Sequence, residues 1–269
     1  MSASRNTLPG PAFPEVSVAI YRAAPKMRAM RKIFVLGHSH ITALAHGYKT
    51  APPRPEMWPE MVFVPLNEPQ FQPAMQGEAL NPVIAAQLRQ AQAGLHISLI
   101  GGNDHSAIAM LNHLHRFEVV LPEAPDLPVD PAAALLPAGL VLAALAQRIA
   151  PHLSLLAAYR AAAPGRLVHI ESPPPVPSEA HIREHPGVFR DKIEACGVSP
   201  ALLRYKFWRL HSLLWREACA RLGVEFMTVP MEMCDADGML VEAAWNPDPT
   251  HGNALYGSAV IAKLLREAA

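Results

Sequence analysis

The sequence predicts an α/β protein built on one parallel, doubly wound sheet. Short apolar runs alternate with longer helix-compatible stretches from Arg31 onward, the rhythm of strand–helix–strand crossovers. The apolar runs are continuous instead of alternating, as expected of strands covered on both faces. The stretches between them carry helix start and stop signals. The pattern gives one domain over residues 31–269, preceded by a flexible arm over 1–30.

The arm, "MSASRNTLPGPAFPEVSVAIYRAAPKMRAM", breaks its apolar residues with Pro, Glu, Arg and Lys, so no secretory h-region forms. Met27 and Met30 are alternative starts. The predicted strands are "KIFVL" (32–36), "MVFVPL" (61–66), "LHISLI" (95–100), "RLVHIE" (166–171) and "VEFMTVP" (224–230). Asn81-Pro82 predicts an N-cap with Pro at the first helical position, and the helix runs to about Ala93 with Gly94 as its stop. Ser199-Pro200 repeats the device, and that helix ends at Gly223. The last helix starts near Asn253.

Two segments interrupt the rhythm. Residues 118–137 hold Pro122, Pro125, Pro128, Pro131 and Pro137, too many for a regular element. "ESPPPVPSEAHIREHPG" follows the fourth strand as a second loop. Both are expected at the carboxyl edge of the sheet, where open α/β folds place ligands, the first as a lid. "AAALLPAGLVLAALA" (132–146) is too short to span a bilayer and contains Pro137 and Gly139; a buried or lid helix is expected.

Composition excludes several function classes. Lys+Arg and Asp+Glu balance at 23 each, so no bulk positive field draws the chain to nucleic acid or anionic membrane. The three cysteines lack CxxC spacing and are odd in number, which predicts reduced thiols and a cytoplasmic location. In the helix that ends at Gly223, Leu203, Phe207, Leu210 and Leu214 make a core stripe, and Arg204, Arg209 and Arg216 are expected in solvent. His113, His115, His152, His169 and His211 read as surface or satisfied-core histidines.

Three polar clusters remain: Gly37-His38-Ser39-His40 after the first strand, Gly101-Gly102-Asn103-Asp104-His105 after the third, and Asp248-Pro249-Thr250-His251-Gly252 before the last helix. In a parallel sheet the first two project from one edge, and the third reaches it if the last helix packs back on the sheet. Each alone is an ordinary turn or cap. Together they allow two chemistries. His38, His40, Asp104, His105, Asp248 and His251 could ligate a metal, and "GHSH" with "GNDH" is superficially similar to calcineurin-like phosphoesterases. That family's leading DxH and its GDxxD are missing, and its GHxH comes late in the chain, so no metal is expected.

The order of the clusters resembles the SGNH (GDSL-like) hydrolase superfamily over residues 32 to about 265. "GHSH", "GGND" and "DPTH" occupy its three blocks, although His38 stands where an acidic residue is usual. The resemblance implies a three-layer α/β/α sandwich with a flavodoxin-like five-stranded sheet, and ester hydrolysis or acyl transfer without a cofactor. It implies Ser39 as nucleophile, His251 as base, Asp248 as its orienting group and Asn103 as oxyanion donor. Gly77, the only glycine in the region after the second strand, is the candidate for a backbone oxyanion donor. His38, His40, Asp104 and His105 are expected to meet the substrate. The implied substrate is a small-molecule or carbohydrate acyl ester, O-acetyl sugars first. An acyltransferase in polysaccharide synthesis and a silent binding protein are the alternatives.

Overall fold

The computed structural model describes residues 32–50 and 58–268; the arm expected over 1–30 lies outside them. The strands are β1 (Lys32–Gly37), β2 (Glu60–Pro65), β3 (Met75–Gln76), β4 (Ala79–Leu80), β5 (Leu95–Leu99), β6 (Phe117–Val119), β7 (Ala134–Leu136), β8 (Arg166–Ile170) and β9 (Glu225–Met227). The α-helices are α1 (Ile41–Thr50), α2 (Pro82–Ala91), α3 (Ser106–Ala109), α4 (Ala138–Ala162), α5 (Glu179–Glu184), α6 (Arg190–Cys196), α7 (Ala201–Leu222) and α8 (Ala254–Ala268).

Five parallel strands form the central sheet in the order β2-β1-β5-β8-β9. Counted along the chain within this sheet, that is 2-1-3-4-5, the flavodoxin-like order. Side chains of a strand alternate between faces, and β1 divides its residues accordingly. Ile33 and Val35 pack with α1 and α8 residues such as Leu44, Tyr48, Ile261 and Leu264. Phe34 and Leu36 pack with Ile84 and Leu88 of α2 and Leu156 and Tyr159 of α4. Helices therefore cover both faces, and the fold is a three-layer α/β/α sandwich.

A close crossing of α1 and α8 positions the site. An added Cβ on Gly257 would lie 1.9 Å from the Ala43 carbonyl oxygen, and one on Gly47 would lie 2.4 Å from the Ser258 backbone nitrogen. Ser258 Oγ also donates to the Gly47 carbonyl at 3.2 Å. The crossing brings the segment just before α8 beside the segment just before α1. Gly257→Ala is expected to cost at least about 3 kcal/mol, the upper end of overpacking, because backbone and not a movable side chain blocks the methyl. Urea unfolding of the variant checks this, and wild-type stability would show that the helices can separate freely.

Several boundaries differ from expectation. Helix α2 stops at Ala91, with Gln92 in the left-handed region (φ 46), two residues before Gly94. The Gly94 N–H instead bonds the Lys32 carbonyl at 3.2 Å and sets the entry to β5. Asn81 caps as predicted, accepting from the Val83 N–H at 2.8 Å. Ser199 does not cap α7; its hydroxyl donates to the Ala109 carbonyl. Arg204 is 3% exposed and not solvated. It donates to the carbonyls of Ser199, Val176 and Pro177, tying the Pro-rich loop after β8 to α7.

The segment 118–137 is not a free lid. Its ends pair as β6 and β7, and Val119 and Leu121 share a core with Val141, Leu145, Phe207 and Leu210. Lys206, fully buried, bonds Glu118 at 3.0 Å and the Pro128 carbonyl at 2.7 Å. Hydrogen-bonded, paired charge is the form in which a lysine tolerates burial. Helix α4 is the one helix among the described residues long and apolar enough to cross a membrane. It buries Val141, Leu145, Ile149, Leu156 and Tyr159 along one face, and Pro151, Arg148 and His152 fall within it.

Candidate active site

Ser39 sits on the turn from β1 into α1, closed by Ile41 N–H to the His38 carbonyl (3.0 Å) and Thr42 N–H to the Ser39 carbonyl (3.1 Å). Its Oγ lies 2.6 Å from His251 Nε2. His251 Nδ1 lies 2.9 Å from Asp248 Oδ1. A carboxylate only accepts, so the imidazole proton is on Nδ1 and the Nε2 lone pair faces the serine hydroxyl. The 212-residue separation of serine and histidine is closed by the α1–α8 crossing.

Asp248 is itself held. Its Oδ1 also accepts from the backbone N–H groups of Thr250 and His251, both at 2.8 Å, and its Oδ2 accepts from Asn246 Nδ2 at 2.5 Å. Burial alone would raise its pKa. The hydrogen bond and charge of His251, with the Thr250 and Asn246 donors, outweigh burial and hold the carboxyl well below its usual range.

Asn103 projects from the loop after β5, and its Nδ2 lies 3.3 Å from both Thr250 Oγ1 and His251 Nε2. The three polar clusters thus meet at one point on the carboxyl edge. Beside it lies a cavity of about 220 Å³ lined by Ser39, Thr42, His46, Asn246, Asp248, His251 and Asn253, among others.

His38 accepts the Gly101 N–H on Nδ1 at 2.9 Å. Burial first, and then the nearby His152, pushes its pKa down to about 4. The ring is neutral near pH 7, with a lone pair that joins β1 to the loop after β5. His40 and His105 are buried, at 5% and 3% exposure, and so do not line a surface open to substrate. Their pKa values are lowered, chiefly by burial, that of His40 to about 3. Asp104 turns away to His152 Nδ1 at 3.2 Å and toward His211 Nε2 at 3.8 Å. Burial would raise its pKa, but the bonds to those two histidines depress it. Gly77 is exposed in the turn of the β3–β4 hairpin, with nothing within 4 Å of an added Cβ, and does not line the cavity at Ser39. His38 and Asp104 both approach His152, and Asp104 and His105 both approach His211, but no group of three or more His, Cys, Asp or Glu suited to a metal occurs among the described residues.

Sequence reasoning missed His152 and His211 as partners of Asp104, and Asn246 and Thr250 as partners of the triad-like group. Thr250 and Asn246 stand within two residues of Asp248, so proximity was a usable signal. Nothing in the sequence links His152 or His211 to Asp104.

No protein-family model matches the chain, and no curated protein matches it. Solved structures do. An extracellular lipase from Streptomyces rimosus is 14% identical, with 88% of this chain and 99% of that chain covered and a TM-score of 0.46. A lipopolysaccharide acetyltransferase periplasmic domain from Salmonella ser. Paratyphi A is 10% identical, covering 88% and 83%, with a TM-score of 0.44. A carbohydrate acetylesterase family member from Sinorhizobium meliloti is 11% identical, covering 89% and 99%, with a TM-score of 0.42. At such identities and scores these likenesses do not bear on activity. The strand order, the two helical layers and the meeting of the three clusters agree with the SGNH (GDSL-like) hydrolase fold that the motifs resemble.

Proposed function

We propose that this protein is a serine esterase acting on short acyl esters of polar alcohols, with O-acetylated carbohydrate as the leading substrate class. The observation that carries the reading is the chain Ser39 Oγ–His251 Nε2–Asp248 Oδ1, at 2.6 and 2.9 Å. In the reading, His251 takes the Ser39 proton as Oγ attacks the ester carbonyl. Asp248 holds the imidazole tautomer and stabilises the imidazolium that forms. Asn103 Nδ2 donates to the developing oxyanion. His251 then returns the proton to the leaving alcohol, and water repeats the sequence on the acyl-enzyme. Transfer of the acyl group to a second alcohol uses the same steps with that alcohol in place of water.

The cavity supports the substrate class. Its lining side chains include Thr42, His46, Asn246 and Asn253, with Ala43 the one aliphatic side chain. A volume of about 220 Å³ leaves little room for a long acyl chain, whereas an acetyl group or a sugar hydroxyl fits and would find polar partners. A fluorophosphonate probe is expected to label Ser39, and kcat/KM is expected to fall from acetyl to octanoyl esters. Labelling elsewhere would overturn the nucleophile, and a preference for octanoyl would overturn the substrate class. Adding a sugar acceptor to the acetyl-ester assay separates the two outcomes of the acyl-enzyme: acetylated sugar appears only with transfer.

A further inference from the structure

We propose that the Thr42 hydroxyl and the His46 imidazole of α1 bind the alcohol part of the ester, selecting alcohols that carry free hydroxyls beside the acylated one. The inference rests on the reading of Ser39, His251 and Asn103 as nucleophile, base and oxyanion donor, and it names the groups that would recognise a sugar. The leaving oxygen takes its proton from His251 Nε2, so the alcohol lies on the His251 side of the acyl carbon. The carbonyl oxygen faces Asn103. Ser39, Asp248 and His251 line the cavity beside the site, whereas Asn103, with Nδ2 3.3 Å from His251 Nε2, does not. Of the groups on the reacting carbon, the alcohol is therefore the one that enters this cavity.

Most polar groups in its wall are already committed. Asn253 donates to the carbonyls of Ala243 (2.8 Å) and Trp245 (3.1 Å) and accepts from the N–H groups of Leu255 (2.9 Å) and Tyr256 (3.3 Å). Asn246 donates to Asp248 Oδ2, and Asp248 Oδ1 accepts from Thr250 and His251. Ser39 and His251 are bonded to each other. Thr42 and His46 differ: both are exposed, and among the described residues neither side chain makes a hydrogen bond. The bonds they do make use the backbone, Thr42 N–H to the Ser39 carbonyl at 3.1 Å and Thr50 Oγ1 to the His46 carbonyl at 2.9 Å.

Their placement suits a ring-sized alcohol. Positions four apart share a helix face, so His46 stands one turn beyond Thr42 on the side that lines the cavity. At about 1.5 Å of rise per residue, Thr42 lies about 5 Å along α1 from the nucleophile and His46 about 10 Å. Long helical side chains lean back toward the N-terminus, which carries the imidazole over the Thr42 turn and toward the ester. A threonine hydroxyl donates and accepts, and an imidazole N–H donates. Sugar hydroxyls answer both groups. An alkyl alcohol of the same size would displace their water and return no hydrogen bond.

The test uses the full chain and two acetyl esters of one ring size, an O-acetylated methyl glucoside and cyclohexyl acetate. Thr42→Val and His46→Phe keep the outline of each side chain without its hydrogen-bonding atoms. Each is expected to lower the ratio of kcat/KM for the glucoside to that for cyclohexyl acetate about two- to tenfold, the worth of one hydrogen bond, through KM more than kcat. A variant that keeps the wild-type ratio overturns the role of its residue. Binding is read apart from turnover in Ser39→Ala, which cannot consume the ester. There the His46 ring resonances are expected to shift as the glucoside ester is added, and resonances unmoved up to its solubility limit would overturn the subsite. Movement without any turnover by the wild-type protein would support the subsite and overturn the esterase reading instead.

Discussion

His251→Ala is expected to lower kcat by about 10⁵ to 10⁶, and Ser39→Ala by the same amount. In the proposed mechanism the two residues act as one unit across their 2.6 Å contact. Without the imidazole the hydroxyl keeps its proton, and without the hydroxyl the imidazole has nothing to activate. The double variant should therefore be no slower than either single one. Asp248→Asn should cost less, about 10⁴. An amide in that place presents a donor as readily as an acceptor, so it no longer fixes the proton on His251 Nδ1. It also removes the charge that faces the imidazolium. Because Asp248 also accepts backbone bonds from Thr250 and His251, part of the loss in Asp248→Asn is structural, and the melting temperature is measured alongside kcat. Residual turnover above about 1% in Ser39→Ala would exclude Ser39 as the nucleophile, since losing the attacking group costs far more than a hundredfold.

The α/β class and the order of elements were legible because buried parallel strands are continuous apolar runs and their helices carry local caps. All five sheet strands fall within a few residues of their predicted ranges. Ser39, Asn103, Asp248 and His251 were legible because each stands in a short local pattern at the end of an element. Long-range polar contacts were not. Arg204 lies on a helix whose neighbours look solvated, yet loop carbonyls from 176 and 177 converge on it. Lys206 finds Glu118 across 88 positions, and Asp104 finds His211 across 107. Neither pairing leaves a periodic trace. Gly47 and Gly257 show the same limit: a glycine within a helix reads as a local cost, and only the crossing of α1 and α8 shows what it permits.

Acid is expected to destabilise the protein steeply between pH 6.5 and 5, well above the range in which carboxylates titrate. His38, His40 and His169 are lowered by burial from 6.5 to about 4, 3 and 3. Below pH 6.5 the unfolded chain takes up protons at these histidines, while the folded protein does not until near pH 4. The unfolded state therefore binds more protons across this window, and stability rises with pH and is lost as pH falls from 6.5. At pH 5 each histidine is about 1.5 pH units below its unfolded pKa, worth about 2 kcal/mol, and about 6 kcal/mol for the three. This is comparable to the whole stability of an ordinary domain, about 5–15 kcal/mol. The result at pH 5 does not depend on how far below 5 each folded pKa lies. His105 and His211, also lowered chiefly by burial, act in the same direction. Asp104 and Asp248, whose folded pKa values are depressed, stabilise fully above their unfolded pKa of 3.8 and lose that contribution as pH falls from there through their lower folded values. Urea unfolding at pH 8, 6.5, 5.5 and 5 measures the effect, and the slope of stability against pH should approach at least three protons taken up on unfolding. His169→Gln, which removes the ring stacked 4.2 Å from Trp215 and bonded to Ser98 Oγ at 3.0 Å, should lower that proton count by one even if its stability at pH 8 is reduced. A flat profile from pH 7 to 5 would mean that these rings are protonated in the folded protein and are not the neutral, dry groups their burial implies.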